Sequence, residues 1–142
     1  MKKILIVQAV FYNDISSLLL DGAIDKIIKN NYNYEIVTVK GALEIPPAIA
    51  LASASKNYHG FVALGCVIRG ETSHYDIVCL QSAQGIMDLS IKHHLAIGNG
   101  IITVENEAQA LERASRNLLD KGGFAVEACI SLINLKEKFL KQ

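Results

Sequence analysis

The stretch that decides the fold reads FVALGCVIRGETSHYDIVCLQSAQGIMDLSIKH and covers residues 61–93. Its first part, Phe61–Ile68, is an almost continuous apolar run, which is typical of a strand buried on both faces of a sheet. Asp76–His93 predicts a helix, and the polar loop Arg69–His74 joins it to the strand. A buried strand followed by a helix is the repeating unit of a parallel sheet covered by helices.

The same alternation continues over the rest of the chain. Three more strands are predicted at Ile4–Val10, Glu35–Val39 and Ile101–Val104. Further helices are predicted at Ile15–Lys29, from Pro46 to about Lys56, at Glu107–Lys121 and at Ala125–Leu140. The pattern predicts a single domain over residues 1–142 of the α/β class: a three-layer α/β/α sandwich with a four-stranded parallel sheet, flavodoxin-like in layout.

Composition excludes several classes of function. The 142 residues carry 14 basic and 14 acidic side chains, so the formal net charge is zero and nothing favours nucleic acid as a ligand. No apolar stretch approaches the roughly 18 residues expected of a membrane span, and the apolar run after Lys3 is too interrupted for a signal peptide. Three cysteines without metal-ligand spacing favour reduced, buried thiols in a cytosolic protein and predict no metal site.

Polar or aromatic residues follow each predicted strand. Ligands of open parallel sheets bind beyond the carboxyl ends of the strands, where these residues should meet. The four segments are Phe11–Asn13, Gly41–Glu44, Arg69–His74 and Glu105–Glu107. They offer an aromatic ring, a carboxylate, a small loop that opens a helix, and a histidine. The sequence therefore predicts a site for a flat polar ligand with an anionic group.

The loop Arg69–His74 is the most informative of these segments. Gly70 lets the backbone turn closely, and the free amides and dipole at the amino end of the next helix favour a phosphate. Thr72 and Ser73 also fit a simple helix cap. His74 is of the residue type best suited to proton transfer at neutral pH, although a histidine satisfied by a helix end fits the same position.

Tyr12 and Arg113 also allow two interpretations from the sequence alone. Tyr12 fits either core packing or a stacking surface at the end of the first strand. Arg113 lies among charged residues of its helix, which is typical of a solvated face. We interpret the other histidines as structural, and these are His59, His93 and His94.

Three motifs together resemble the lumazine synthase family. They are Gly41-Ala42-Leu43-Glu44-Ile45-Pro46, the run GCVIRGETSHYD at 65–76, and Glu112-Arg113-Ala114 followed by Lys121-Gly122. The resemblance runs nearly from end to end. It implies a transferase without metal or organic cofactor that condenses 5-amino-6-(D-ribitylamino)uracil with 3,4-dihydroxy-2-butanone 4-phosphate. The products would be 6,7-dimethyl-8-ribityllumazine, phosphate and water, in the penultimate step of riboflavin biosynthesis.

The resemblance also implies roles for residues at the edge of the sheet. His74 would transfer protons, and Tyr12 would stack on the pyrimidine ring beside Asn13. The pyrimidine and its ribityl chain would contact Ala42, Leu43 and Glu44. The ring and the phosphate would contact Val67, Ile68, Gly70, Glu71 and Thr72.

Two further implied contacts come from a second subunit. Arg113 would clamp the phosphate from the adjacent subunit, with Lys121 as a weaker candidate at the same interface. Asn99 stands where the family often has a second aromatic residue. Lumazine synthases form pentamers, alone or within an icosahedral shell, so at least a cytoplasmic homopentamer with active sites between subunits is expected. Riboflavin synthase is a further partner that the resemblance suggests.

Three alternative functions remain open at this point. A riboflavin synthase of the archaeal type shares the fold and would turn over lumazine alone. A flavodoxin-like ligand-binding module would want a hydroxyl-rich phosphate loop after the first strand, where Val10–Asp14 offers few hydroxyl groups. A receiver-type signalling domain would want a phosphoacceptor aspartate after the third strand, where Arg69 and Gly70 stand instead.

Overall fold

The computed structural model describes residues 1–140, which fold around a four-stranded sheet. The strands are β1 (Lys3–Ala9), β2 (Asn33–Val39), β3 (Gly60–Ile68) and β4 (Ile97–Val104). They lie in the order β2-β1-β3-β4, and every neighbouring pair is parallel. This order matches the start of the flavodoxin-like arrangement, and it brings the carboxyl ends of all four strands to one edge. The predicted fold class is confirmed.

Five helices cover the two faces of the sheet. They are α1 (Asn13–Lys29), α2 (Ile45–Ser53), α3 (His74–His93), α4 (Glu107–Ala114) and α5 (Lys121–Leu140), and a short 3-10 turn at Ala42–Glu44 precedes α2. One core forms where α1, α4 and α5 pack on one face, and a second forms under α2 and α3 on the other. Within residues 1–140, no helix is long and apolar enough to cross a membrane.

The predicted single helix Glu107–Lys121 is wrong, because the chain leaves the helix after Ala114. Ser115 is extended, with ψ of 131°, and Asp120 is left-handed, with φ of 44°. Asp120 then caps α5, since its Oδ1 accepts a hydrogen bond from the Gly123 amide at 3.3 Å. A Cβ on Gly122 would lie 2.1 Å from the Leu19 carbonyl oxygen, so glycine there lets α5 pack tightly against α1. Lys121 therefore begins α5.

Strand β4 begins four residues before the predicted start at Ile101. Gly98 and Gly100, which weaken a strand pattern in the sequence, lie where α5 crosses the sheet. A Cβ on Gly98 would lie only 1.8 Å from the Ala125 carbonyl oxygen, and one on Gly100 would lie 3.1 Å from the Ala125 Cβ. The glycines thus serve the close approach of helix and strand.

We expect Gly98→Ala to lower the free energy of unfolding by about 3 kcal/mol, because a methyl group cannot share space with the backbone of α5. The matched control is Gly65→Ala in β3, whose added Cβ would meet only side chains at 3.6 Å or beyond. That variant should change stability by less than about 1 kcal/mol. Urea unfolding at one protein concentration measures both, and equal stability of the two variants would contradict the packing argument.

Candidate active site

The carboxyl edge of the sheet gathers most of the residues that the sequence singled out. Val67 and Ile68 end β3, half-buried, and Ile68 pairs with Val104 at the end of β4. The other segments follow directly from their strands: Asn13 begins α1, the turn Ala42–Glu44 leads into α2, and the loop after β3 leads into α3. Parallel topology thus brings together segments that are far apart in the sequence.

Two adjacent aromatic rings lie where β1 meets α1, and they differ in exposure. The Phe11 side chain is 75% exposed, whereas Tyr12 is half-buried and packs against the core beneath α1. Their ring centroids are 4.9 Å apart at an interplanar angle of 74°, so Tyr12 supports Phe11 edge-to-face. The ring available for stacking on a ligand is therefore Phe11, a residue to which the sequence analysis gave no role of its own.

The turn Gly41–Glu44 presents a carboxylate at the same edge. Ala42 is buried, while Leu43 and Glu44 are exposed. The Glu44 amide donates to the Gly41 carbonyl at 3.1 Å, and a Cβ on Gly41 would lie 3.1 Å from Glu44 Oε1. The carboxylate therefore folds back over Gly41, where it can accept hydrogen bonds from a polar ligand.

The loop between β3 and α3 leaves its backbone amides open. The amides of Gly70, Glu71 and Thr72 have no hydrogen-bond partner among residues 1–140. Thr72 Oγ1 accepts from the His74 amide at 3.3 Å, but Ser73, at the N-cap, forms no side-chain cap. The capping alternative thus accounts for only part of the loop. Open amides at the start of a 20-residue helix suit a bound anion.

Gly70 and His74 border this open region. Gly70 does not have a positive φ, and an added Cβ would meet nothing within 4 Å, so the protein's own backbone does not require glycine here. The expected role in a close turn is therefore not what the structure shows; the glycine leaves space beside the loop amides. His74 is exposed as the first residue of α3, one residue beyond the N-cap.

Arg69 forms a charged cluster that the sequence analysis did not anticipate. Its Nε donates to Glu105 Oε2 at 2.7 Å, and its Nη1 lies 3.6 Å from Asp76 Oδ1. The guanidinium carbon lies 4.4 Å from the centre of the Tyr75 ring. The hydrogen bond to Glu105 raises the pKa of Arg69, so the side chain stays charged. The sequence signal for this cluster was that Arg69 and Glu105, which carry opposite charges, directly follow two strands that are neighbours in the sheet.

Three predicted site residues lie away from this edge. Arg113 is in the last turn of α4, where its Nη1 donates to the Gln109 carbonyl at 3.3 Å and lies 3.7 Å from Glu112 Oε1. Lys121 begins α5, with its Nζ 5.0 Å from the centre of the Phe124 ring.

Asn99 lies within β4, opposite Ala63 in register and well before the end of the strand. Ile97 and Ile101, two residues before and after Asn99, pack into the core under α2 and α3. Side chains two residues apart in a strand point to the same face, so exposed Asn99 lies on the α2 and α3 face of the sheet. Within one chain, Asn99 therefore lies on the opposite face of the sheet from α4 and α5, the helices that carry Arg113 and Lys121.

The cysteines do not provide a nucleophile at this site. Burial raises the pKa of Cys66 to about 11 and that of Cys129 to about 12, and it also raises the pKa of Cys79, so all three thiols remain protonated at neutral pH. Across residues 1–140, histidine, cysteine and acidic side chains form no group of three that could hold a metal ion. The chemistry that the edge offers is thus anion binding, stacking and proton transfer.

An α/β domain with open amides, an exposed ring and a histidine at its carboxyl edge has the features of an enzyme that acts on small molecules. Residues 1–137 match the family described as 6,7-dimethyl-8-ribityllumazine synthase. The chain belongs to that family, as its motifs predicted, and is thereby a transferase.

Curated relatives with the same family description match nearly the whole chain. The chain is 55% identical over 137 residues to 6,7-dimethyl-8-ribityllumazine synthase of Bartonella tribocorum, covering 96% of this chain and 91% of the relative. It is 53% identical to 6,7-dimethyl-8-ribityllumazine synthase 1 of Rhizobium meliloti, covering 95% and 92%. It is 51% identical to the synthase of Sphingopyxis alaskensis, covering 98% of both chains.

Proposed function

We propose that this chain condenses 5-amino-6-(D-ribitylamino)uracil with 3,4-dihydroxy-2-butanone 4-phosphate to form 6,7-dimethyl-8-ribityllumazine, and that the carboxyl edge of its sheet is the main part of the active site. The observation that carries the proposal is the loop after β3. Its unpartnered amides lie directly before the long helix α3, and the first residue of that helix is His74. A phosphate bound by these amides would thus lie beside the residue that transfers protons.

The chemistry fits this arrangement step by step. The amine of the pyrimidine forms an imine with the ketone and releases water. Loss of a proton and of phosphate leaves an enol that becomes a carbonyl, and the second nitrogen condenses with this carbonyl to close the ring and release a second water. The amides of Gly70, Glu71 and Thr72 hold the phosphate, which positions the carbon chain beside His74. His74 then accepts and returns protons as the imine forms and phosphate departs. Holding the two reactants together contributes the larger share of the acceleration.

The pyrimidine binds on the other side of the same edge. Phe11 stacks on the heterocycle, supported from beneath by Tyr12, while Asn13 stands at the start of α1. The Glu44 carboxylate accepts hydrogen bonds from the pyrimidine or its ribityl hydroxyls. The rest of the pyrimidine site is lined by four apolar residues, namely Ala42, Leu43, Val67 and Ile68.

We expect Phe11→Ala to raise KM for the pyrimidine about tenfold, because stacking of a base on an aromatic ring is worth about 1–3 kcal/mol. KM for the sugar phosphate should change much less. Tyr12→Phe, which keeps the packed ring and removes only the hydroxyl, is the matched control and should behave as the wild type. Steady-state kinetics with each substrate varied separately measures both. A larger effect from Tyr12→Phe than from Phe11→Ala would contradict the assignment of the stacking ring.

A second copy of the chain completes the site in this proposal. Arg113 and Lys121 from an adjacent subunit reach the phosphate, and Asn99 of that subunit borders the pyrimidine. Helix α3 supports self-association, because exposed apolar side chains recur on one of its faces at spacings of three, seven and four residues. They are Ile77, Leu80, Met87 and Ile91, all more than half exposed. We propose a homopentamer, which the mass of the assembly of 15.5 kDa chains tests directly.

We also propose that the protein works in the cytoplasm and that its product passes to riboflavin synthase. The three cysteines are free, which suits a reducing compartment. Lumazine is the substrate of riboflavin synthase, so the two enzymes act in succession.

The test of the proposed function is a spectrophotometric assay that follows the lumazine chromophore against an uncatalysed blank. The purified protein should accelerate lumazine formation only when both substrates are present. Consumption of lumazine alone would instead identify a riboflavin synthase. No acceleration by folded, oligomeric protein in either assay would overturn the proposal and favour a ligand-binding module.

A further inference from the structure

The side chain of Arg69 joins the two ends of the open loop. Arg69 itself precedes the loop, and its amide donates to the Val104 carbonyl at 2.9 Å, extending the pairing of β3 with β4 by one residue. Tyr75 and Asp76 follow the loop in the first turn of α3, and both contact the guanidinium group. The loop Gly70–Ser73 and His74 are thus held between two segments that one side chain connects.

The third contact of Arg69 anchors this connection to a rigid part of the fold. Glu105 directly follows β4, and its amide donates to Gln109 Oε1 at 2.8 Å. Asn106 caps α4 by accepting from the Gln109 amide at 2.9 Å. The backbone of Glu105, whose carboxylate accepts from Arg69 Nε, is therefore held at the capped start of α4.

The charge of Arg69 is already compensated within the cluster. Two carboxylates, Glu105 and Asp76, face one guanidinium group, so little of its charge remains for an anion in the loop. The guanidinium group donates to Glu105 through Nε and at the same time lies over the Tyr75 ring, and the single ammonium group of a lysine reproduces this combination poorly. This geometry suits a residue that fixes other residues in place.

We propose that Arg69 is a positioning residue, which holds the phosphate-binding loop and His74 in register by linking Glu105 to the first turn of α3. The inference rests on the proposed active site. An error of about 1 Å in the placement of reacting groups can cost about a hundredfold in rate, whereas exposed ion pairs add little to global stability. Loss of Arg69 should therefore be seen in kinetics far more than in unfolding.

The experiment compares Arg69→Ala, Arg69→Lys and Glu105→Gln with the wild type. Arg69→Ala should lower kcat and raise KM for the sugar phosphate, reducing kcat/KM about ten- to a hundredfold, with KM for the pyrimidine changed less than about twofold. Arg69→Lys should recover part of the loss, and Glu105→Gln should shift both parameters in the same direction by less. Tm should fall by no more than a few degrees. Arg116→Ala is the matched control, because it removes another half-exposed arginine that pairs with a carboxylate, Asp25, outside the site.

Binding of inorganic phosphate, followed by calorimetry, gives a second readout that needs no turnover. Arg69→Ala and Glu105→Gln should both weaken it. If Arg69 instead bound phosphate directly, Glu105→Gln would free its charge and tighten binding, which would overturn the inference. If the wild-type enzyme is active and Arg69→Ala shows the same kinetics, the inference is overturned and the proposed function stands. An inactive wild type would contradict the proposed function, and phosphate binding would then decide the inference alone.

Discussion

The His74→Ala variant should turn over at least a hundredfold more slowly than the wild type, yet still measurably. General acid-base catalysis typically contributes about 10²–10⁴-fold, and alanine removes the only titratable side chain beside the open loop amides that suits proton transfer at neutral pH within residues 1–140. The loop amides that are proposed to bind phosphate are unaffected, so KM for the sugar phosphate should change little. The measurement is kcat and KM from lumazine formation at saturating pyrimidine.

His93→Ala is the matched control, since His93 is an exposed histidine at the opposite end of the same helix. It should retain wild-type kcat. An unchanged kcat in His74→Ala would contradict the proton-transfer role. A total loss of activity in folded oligomer would show that His74 does more than move protons.

The Arg113→Ala variant should use the sugar phosphate ten- to a hundredfold less well. A charge-assisted hydrogen bond is worth about 1.5–3 kcal/mol, and each 1.4 kcal/mol is a factor of about ten. In the single chain the Arg113 side chain is half-buried, and its polar contacts among residues 1–140 all lie within its own helix, so its guanidinium is available to a ligand on a neighbouring subunit. KM for the pyrimidine should change far less, and this is measured with each substrate varied in turn.

Arg116→Ala again serves as the control, because Arg116 follows α4 closely but pairs with Asp25 at 2.9 Å. It should leave both KM values near those of the wild type. Equal weakening for both substrates in Arg113→Ala would contradict a role in phosphate binding and would indicate a general defect of the interface.

The sequence was informative wherever local patterns decide the structure. Short β-branched and apolar runs predicted all four strands. Burial on both faces explains the near-continuous apolar residues of the central strands β1 and β3, whereas the edge strand β2 is mostly exposed. The position of the candidate site followed from the same topology, since residues after parallel strands meet at one edge. The predicted loop Arg69–His74 does lie there, and α3 begins only two residues before the predicted helix start at Asp76.

The sequence was uninformative where distant parts of the chain decide the structure. The break between α4 and α5 depends on how closely Gly122 approaches Leu19, and the early start of β4 depends on α5 crossing Gly98. Neither contact is visible in a local window. The choice between Phe11 and Tyr12 likewise depends on which ring α1 covers, and the cluster around Arg69 depends on three elements meeting.

In the proposed enzyme, a second copy of the chain completes each active site. The most direct measurement mixes subunits of His74→Ala and Arg113→Ala, unfolded and reassembled together, and compares kcat/KM with either variant reassembled alone. If His74 and Arg113 of one site come from different copies, random mixing leaves both wild-type residues in about a quarter of the sites, and activity should return to that level. If both residues come from one copy, no site regains both. Activity no higher than the mean of the two variants, in oligomers shown to be mixed, would contradict the shared site.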